Sequence, residues 1–106
     1  RRNQRNVLAG DRMEAGGITL ELAAGRVFAG KKEVLLTPKE FAILRCLIQN
    51  KNMVMSREQL LVKCWGYDYE GESRAVDTHI KRLREKLGAY AGCIKTVIKA
   101  GYRLEG

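Results

Sequence analysis

The 106 residues, 45% of them hydrophobic, suffice for one domain with a single modest core and exclude a larger multidomain assembly within this span. The net charge of +8 is uneven: residues 14–72 hold eight basic and eight acidic side chains, so the excess lies in the front tail and the last third. That asymmetry suits a polyanion partner, although a basic pI alone would equally suit an acidic membrane surface. With one histidine, no paired-carboxylate or nucleophile motif and no glycine-rich phosphate loop, the chain does not look like an enzyme.

Residues 1–6, RRNQRN, are polar and basic without hydrophobic pattern and read as a tether or a domain boundary, leaving residues 7–106 as the folded domain. From Ile18 the pattern has period two, with Ile18, Leu20 and Leu22 alternating with Thr19, Glu21 and Ala23, as in a half-buried strand. Gly25 allows a turn into a second strand over 26–29, and Gly30-Lys31-Lys32 connects it to a third over 33–36. The expectation is an antiparallel meander within residues 7–36, with Val7 and Leu8 adding an edge.

Thr37-Pro38-Lys39-Glu40 is a helix start: Thr37 caps, Pro38 takes the first helical position and Glu40 completes a capping box. Phe41, Leu44, Leu47 and Ile48 line one side of that helix, which ends in the polar run Gln49-Asn50-Lys51-Asn52. Met53-Val54-Met55 suits one short strand. Ser56-Arg57-Glu58-Gln59 then opens a second helix carrying Leu60, Leu61, Cys64 and Trp65 and stopping at Gly66.

The third helix, residues 73–87, has the strongest pattern. Val76, Ile80, Leu83 and Leu87 recur at i, i+4, i+7 and i+11 and form one apolar stripe. The opposite face presents Arg74, Ala75, Thr78, Lys81, Arg82 and Glu85, with Asp77 and Arg84 on one flank and His79 and Lys86 on the other. In most helices a charged face is simply solvated, and Asp77 with Lys81 would be an ordinary i,i+4 support pair. Here the mixture of forked cations with small Ala75 and Thr78 suits a DNA major groove, where Arg grips guanine and small apolar groups meet a thymine methyl.

Two helices and their connection resemble a helix-turn-helix, although the seven residues Gly66–Glu72 exceed the usual tight turn. That connection holds three acids and no base, and reads either as a solvated loop or as a docking surface for a basic protein. Gly88 suits a helix end and residues 89–93 a loop. Strands over 94–98 and 102–104, joined by Lys99-Ala100-Gly101, make a terminal hairpin whose basic residues are Lys95, Lys99 and Arg103. Beside a recognition helix such a hairpin is a wing that lies along phosphates or enters a minor groove.

Cys46, Cys64 and Cys93 are odd in number and widely spaced, so they read as free thiols in a reducing compartment. Cys64, His79 and Cys93 match no zinc spacing, and no metal or cofactor is expected. No apolar run reaches a membrane span and the first residues lack a signal-peptide core, so a cytoplasmic protein without membrane association is expected.

Taken together, TPKEFAIL, SREQLL followed by Trp65, RAVDTHIKRLREKL and the closing TVIKAGYRL resemble the winged-helix effector domain of OmpR/PhoB-class bacterial response regulators, over about Ile18 to Leu104. The resemblance implies an α+β fold: a winged helix-turn-helix with an N-terminal antiparallel four-stranded sheet, three helices and a C-terminal β-hairpin wing. It implies a phosphorylatable receiver domain preceding this span, with residues 1–6 as the interdomain linker remnant, a cognate sensor kinase acting through it, and dimers on direct-repeat half-sites of double-stranded DNA. Arg74, Ala75, Thr78, Lys81 and Arg82 match positions that meet the major groove in the family, and Arg57, Trp65, His79 and Arg84 match positions at or near the phosphate backbone. The connection, with Tyr67, Asp68, Tyr69, Glu70 and Glu72, matches the segment that contacts RNA polymerase in some members. The family's wing reads TVRGxGY, whereas Ile98 and Lys99 stand here in place of the Arg and Gly, leaving Lys99 as the cation at the tip. The rival reading is a winged-helix protein-interaction module that does not bind DNA.

Overall fold

Two adjacent glycines set the start of the fold. Gly16 and Gly17 have φ of 58° and 83°, the left-handed conformation that a two-residue hairpin turn needs, and they join strand β1 (Arg12–Ala15) to β2 (Ile18–Glu21). Strands β3 (Arg26–Ala29) and β4 (Lys32–Val34) follow, and the four pair antiparallel in the order β1-β2-β3-β4. The computed structural model describes residues 12–66 and 74–106. The linker 1–6, the expected edge at Val7 and Leu8, and the connection residues Tyr67, Asp68, Tyr69, Glu70 and Glu72 lie outside them.

The meander differs from its sequence reading at both ends. The pattern begins only at Ile18, yet Met13 and Ala15 already pair with Leu20 and Ile18. Lys32 belongs to β4, opposite Ala29, and the strand stops at Val34, leaving Leu35 81% exposed. Alternation places Ala15, Ile18, Leu20, Val27 and Ala29 on the buried face.

Helix α1 (Pro38–Gln49) starts at the foreseen capping box: Glu40 N–H donates to Thr37 Oγ1 and Thr37 N–H to Glu40 Oε1 at 2.9 Å. Ile43, Leu44, Cys46, Leu47 and Ile48 are buried, whereas Phe41 is only half-buried. The second box is also formed, with Gln59 N–H donating to Ser56 Oγ at the start of α2 (Arg57–Cys64). Met53-Val54-Met55 contributes one bridge rather than a strand, Met55 opposite Tyr102. Helix α3 (Arg74–Leu87) runs into a 3-10 segment, Gly88–Cys93, where a loop was expected. Strands β5 (Ile94–Val97) and β6 (Gly101–Leu104) close the chain as an antiparallel hairpin.

The core joins the sheet face, α1, the α3 stripe and the hairpin residues Ile94, Tyr102 and Leu104. The turn end of the hairpin, where Gly101 pairs with Val97, is fixed by a close backbone approach: Gly101 has φ of 139°, and a Cβ there would come within 2.0 Å of the Met55 carbonyl oxygen. Met55 and Tyr102 exchange both backbone hydrogen bonds, so that carbonyl has no room to yield. Gly101→Ala is therefore expected to lower the unfolding free energy by about 2 to 4 kcal/mol, measured by urea denaturation.

Candidate nucleic-acid interface

Every residue of the apolar stripe on α3 is inside: Val76, Ile80, Leu83 and Leu87 are at most 3% exposed. The opposite face is open, with Arg74, Thr78, Lys81, Arg82 and Glu85 exposed and Ala75 half-buried. Among the described residues, Lys81 and Arg82 form no ion pair. Exposed cations on the outer face of a helix are suited to an anionic groove.

The flanks of α3 are committed to the protein itself. On one side Asp77 Oδ1 accepts from Arg57 Nε at 2.8 Å and from the Tyr102 hydroxyl, so it ties α2, α3 and β6 together. It does not pair with Lys81, the partner its i,i+4 spacing suggested; Arg57 and Tyr102 are brought close by packing that spacing cannot register. Burial pushes the Asp77 carboxyl pKa up, but the hydrogen bonds from Arg57 and Tyr102 outweigh it and leave it lowered. The same contacts raise the pKa of Arg57, while burial followed by the bond to Asp77 raises that of Tyr102.

On the other flank, the Lys86 ammonium donates to Glu40 Oε1 at 2.6 Å, although the Glu40 side chain is only 1% exposed. Burial raises the Glu40 pKa, and the Lys86 and Thr37 hydrogen bonds bring it below its ordinary value. His79 Nδ1–H donates to the Ala75 carbonyl at 2.7 Å, and its ring meets Trp65 edge-on with centroids 5.2 Å apart. Lys39 lies over the Trp65 ring and donates to the Cys64 carbonyl, satisfying the C-terminus of α2.

Arg84 joins α3 to the wing: its Nη2 donates to the Ile94 carbonyl at 2.9 Å and to Thr96 Oγ1 at 2.8 Å, and its guanidinium covers the Tyr102 ring. Of the four residues expected at the phosphate backbone, Arg57, Trp65, His79 and Arg84, each thus has a partner within the fold. The three wing cations are also distinguished. Lys95 and Lys99 are exposed, while Arg103 is paired with Glu105 at 2.7 Å.

This geometry has counterparts among known proteins. The family model for "Transcriptional regulatory protein, C terminal" matches residues 31–104. The chain belongs to this family. Within it the class is that of the OmpR/PhoB effector domains, and the fold is their winged helix. The transcriptional regulatory protein SrrA of Staphylococcus aureus (strain NCTC 8325 / PS 47) is 45% identical over 101 residues, which is 92% of this chain and 42% of that protein. The Klebsiella pneumoniae RstA DNA-binding domain, solved in complex with the RstA box, superposes with a TM-score of 0.78 at 33% identity, over 89% of this chain and 96% of that one. The Thermotoga maritima response regulator DrrB, an OmpR/PhoB homologue, gives a TM-score of 0.80 at 30% identity, over 97% of this chain and 49% of that one.

In this effector domain, sequence reading missed the residues that orient the exposed ones. The local signal at Glu40 is for a cap alone, and nothing nearby in sequence indicates its second bond to Lys86, 46 positions away. Tyr102 carried a usable signal, because a hydroxyl on a strand expected to face the core requires an acceptor. The cysteines are free, and burial pushes the Cys64 thiol up to about 11 and raises Cys46 and Cys93, so none is an activated nucleophile.

Asp77→Asn tests the hub. A lowered native pKa means that the carboxylate stabilises the fold above its unfolded pKa, near 3.8, and that this contribution is lost as pH falls through the lower native value. The variant is expected to be less stable than wild type by about 1 kcal/mol at pH 7, a modest figure because Asp77 is partly solvated. The gap should shrink in urea titrations near pH 3.

Proposed function

We propose that this chain is the DNA-binding output domain of a two-component response regulator and controls transcription from specific double-stranded sites. Arg74, Ala75, Thr78, Lys81 and Arg82 read the major groove. The observation that carries this is the helix α3, whose aliphatic edge is buried while Lys81 and Arg82 are exposed on the other side and form no ion pair among the described residues. The DNA-bound state of the similar RstA domain supports it. Arg57, Trp65, His79 and Arg84 line the flanks of that face, where they hold α3 in place and contribute phosphate contacts alongside their internal bonds.

The chain spans 42% of the length of the SrrA relative. The remainder of the whole regulator is proposed to be a receiver domain, joined through residues 1–6 and phosphorylated by a sensor kinase, so that paired domains occupy direct-repeat half-sites. Such a regulator works in the cytoplasm, and among the described residues no helix is long and apolar enough to cross a membrane. The acidic connection, with Tyr67, Asp68, Tyr69, Glu70 and Glu72, is proposed to contact RNA polymerase.

Arg82→Ala is expected to weaken binding to a selected site by about 1 to 3 kcal/mol and to relax preference at one base pair, measured by gel shift. Equal losses on random DNA would make Arg82 a phosphate contact instead. In the same assay log K should fall with log salt, by about 0.9 per phosphate neutralised, whereas a winged-helix protein-interaction module would show no such binding. Charge reversal at Asp68, Glu70 and Glu72 should leave DNA binding intact and reduce transcription activated by the full-length protein.

A further inference from the structure

We infer that Asp77 is a positioning residue for DNA binding: it holds the Arg57 guanidinium by Nε, sets its Nη groups for a phosphate, and makes the chain bind DNA more tightly than it would without this carboxylate. The inference rests on the DNA-binding reading above, in which Arg57 is a phosphate contact. It gives a role to a residue whose charge alone counts against binding.

Asp77 stands on the border of the exposed face of α3. One turn to either side are Arg74 and Lys81, both exposed, and the Asp77 side chain is itself 38% exposed. A carboxylate in that place repels the phosphates that its neighbours attract. Taken as a charge, it weakens the complex, and its removal should tighten binding. Its hydrogen bonds argue the opposite.

Arg57 is the first residue of α2, and Asp77 takes it by Nε alone, at 2.8 Å. Arg103 shows the contrast, since both its Nε and its Nη2 go to Glu105 Oε2. A guanidinium carries N–H donors on Nε and on both Nη atoms in one rigid plane. Gripped at Nε, that plane is oriented while the Nη pair stays outside the carboxylate contact, ready for the two oxygens of a phosphate.

The acceptor is held in turn. Asp77 Oδ1 also receives the Tyr102 hydroxyl, Tyr102 exchanges both backbone hydrogen bonds with Met55, and Arg84 lies over its ring. Arg57 is therefore located against α3 and β6 and not by its own helix alone. A long side chain left to sample its rotamers loses affinity when binding orders it, whereas this one is ordered before DNA arrives.

The test is a gel-shift salt series on a duplex selected from random DNA by this domain, with wild type, Arg57→Ala, Asp77→Ala, Asp77→Asn and the double variant carrying Arg57→Ala and Asp77→Ala. Asp77→Ala is expected to bind about three- to tenfold more weakly than wild type, although it carries one more net positive charge. Its slope of log K against log salt should be shallower by about 0.9, the loss of one phosphate contact, which a variant that is merely less stable does not show. Asp77→Asn keeps an acceptor for Nε and should recover part of both. The double variant should bind no more weakly than Arg57→Ala alone, because the carboxylate acts through that guanidinium. Circular dichroism checks that each variant is folded; should Asp77→Ala not fold, Asp77→Asn with and without Arg57→Ala carries the same comparison. Binding by the Asp77 variants as tight as wild type or tighter, an unchanged slope, or losses that add to those of Arg57→Ala would overturn the proposal. Arg57→Ala with the wild-type slope would instead remove the phosphate contact on which this inference rests. Failure of wild type to bind any duplex would overturn the DNA-binding reading itself.

Discussion

The aliphatic edge of α3 is the constraint on which the rest of the molecule depends. Burying a side chain of the size of Val, Ile or Leu is worth about 1.5 to 3 kcal/mol, more than a partly solvated ion pair supplies. With Val76, Ile80, Leu83 and Leu87 all inside, the rotation of the helix about its own axis is fixed. Turning it by one residue would bring a charged neighbour into the core. The outward direction of Lys81 and Arg82 is thus decided by residues that never meet solvent. The ion pairs at the two flanks, Asp77 with Arg57 and Glu40 with Lys86, then brace an orientation already chosen.

Such bracing redistributes the charge that composition suggests is available. Arg57, Arg84, Lys86 and Arg103 all contribute to the basic excess, yet each is engaged by a carboxylate or carbonyl of the fold. Among the described residues, the exposed cations of α3 that form no ion pair are a smaller set, Arg74, Lys81 and Arg82. Net charge describes the long-range field accurately, because an ion pair between like numbers of charges leaves the total unchanged. It overstates how many side chains are free to make a new contact.

Much of this architecture was legible because it is local. Both capping boxes, the α3 stripe and the terminal hairpin are written in short spacings, and each is found where the spacing puts it. What escaped was long-range or too short for periodicity. Strand β1 offers four residues and one glycine pair, and the Gly88–Cys93 segment has no pattern to distinguish it from a loop. The hub at Asp77 joins residues 20 and 25 positions away, and a helical wheel, which knows only neighbours three and four apart, pointed to Lys81 instead. The exposed face of α3 was legible, whereas the internal partners of Arg57, His79 and Arg84 were not.

The grip of Arg84 on both Ile94 and Thr96 carries a mechanical consequence. These bonds hold helix and hairpin at one spacing. A duplex that engaged both points would have to match that spacing, by kinking or narrowing between them where it did not. Sequences with flexible pyrimidine–purine steps in that interval would then be favoured even though no side chain touches them.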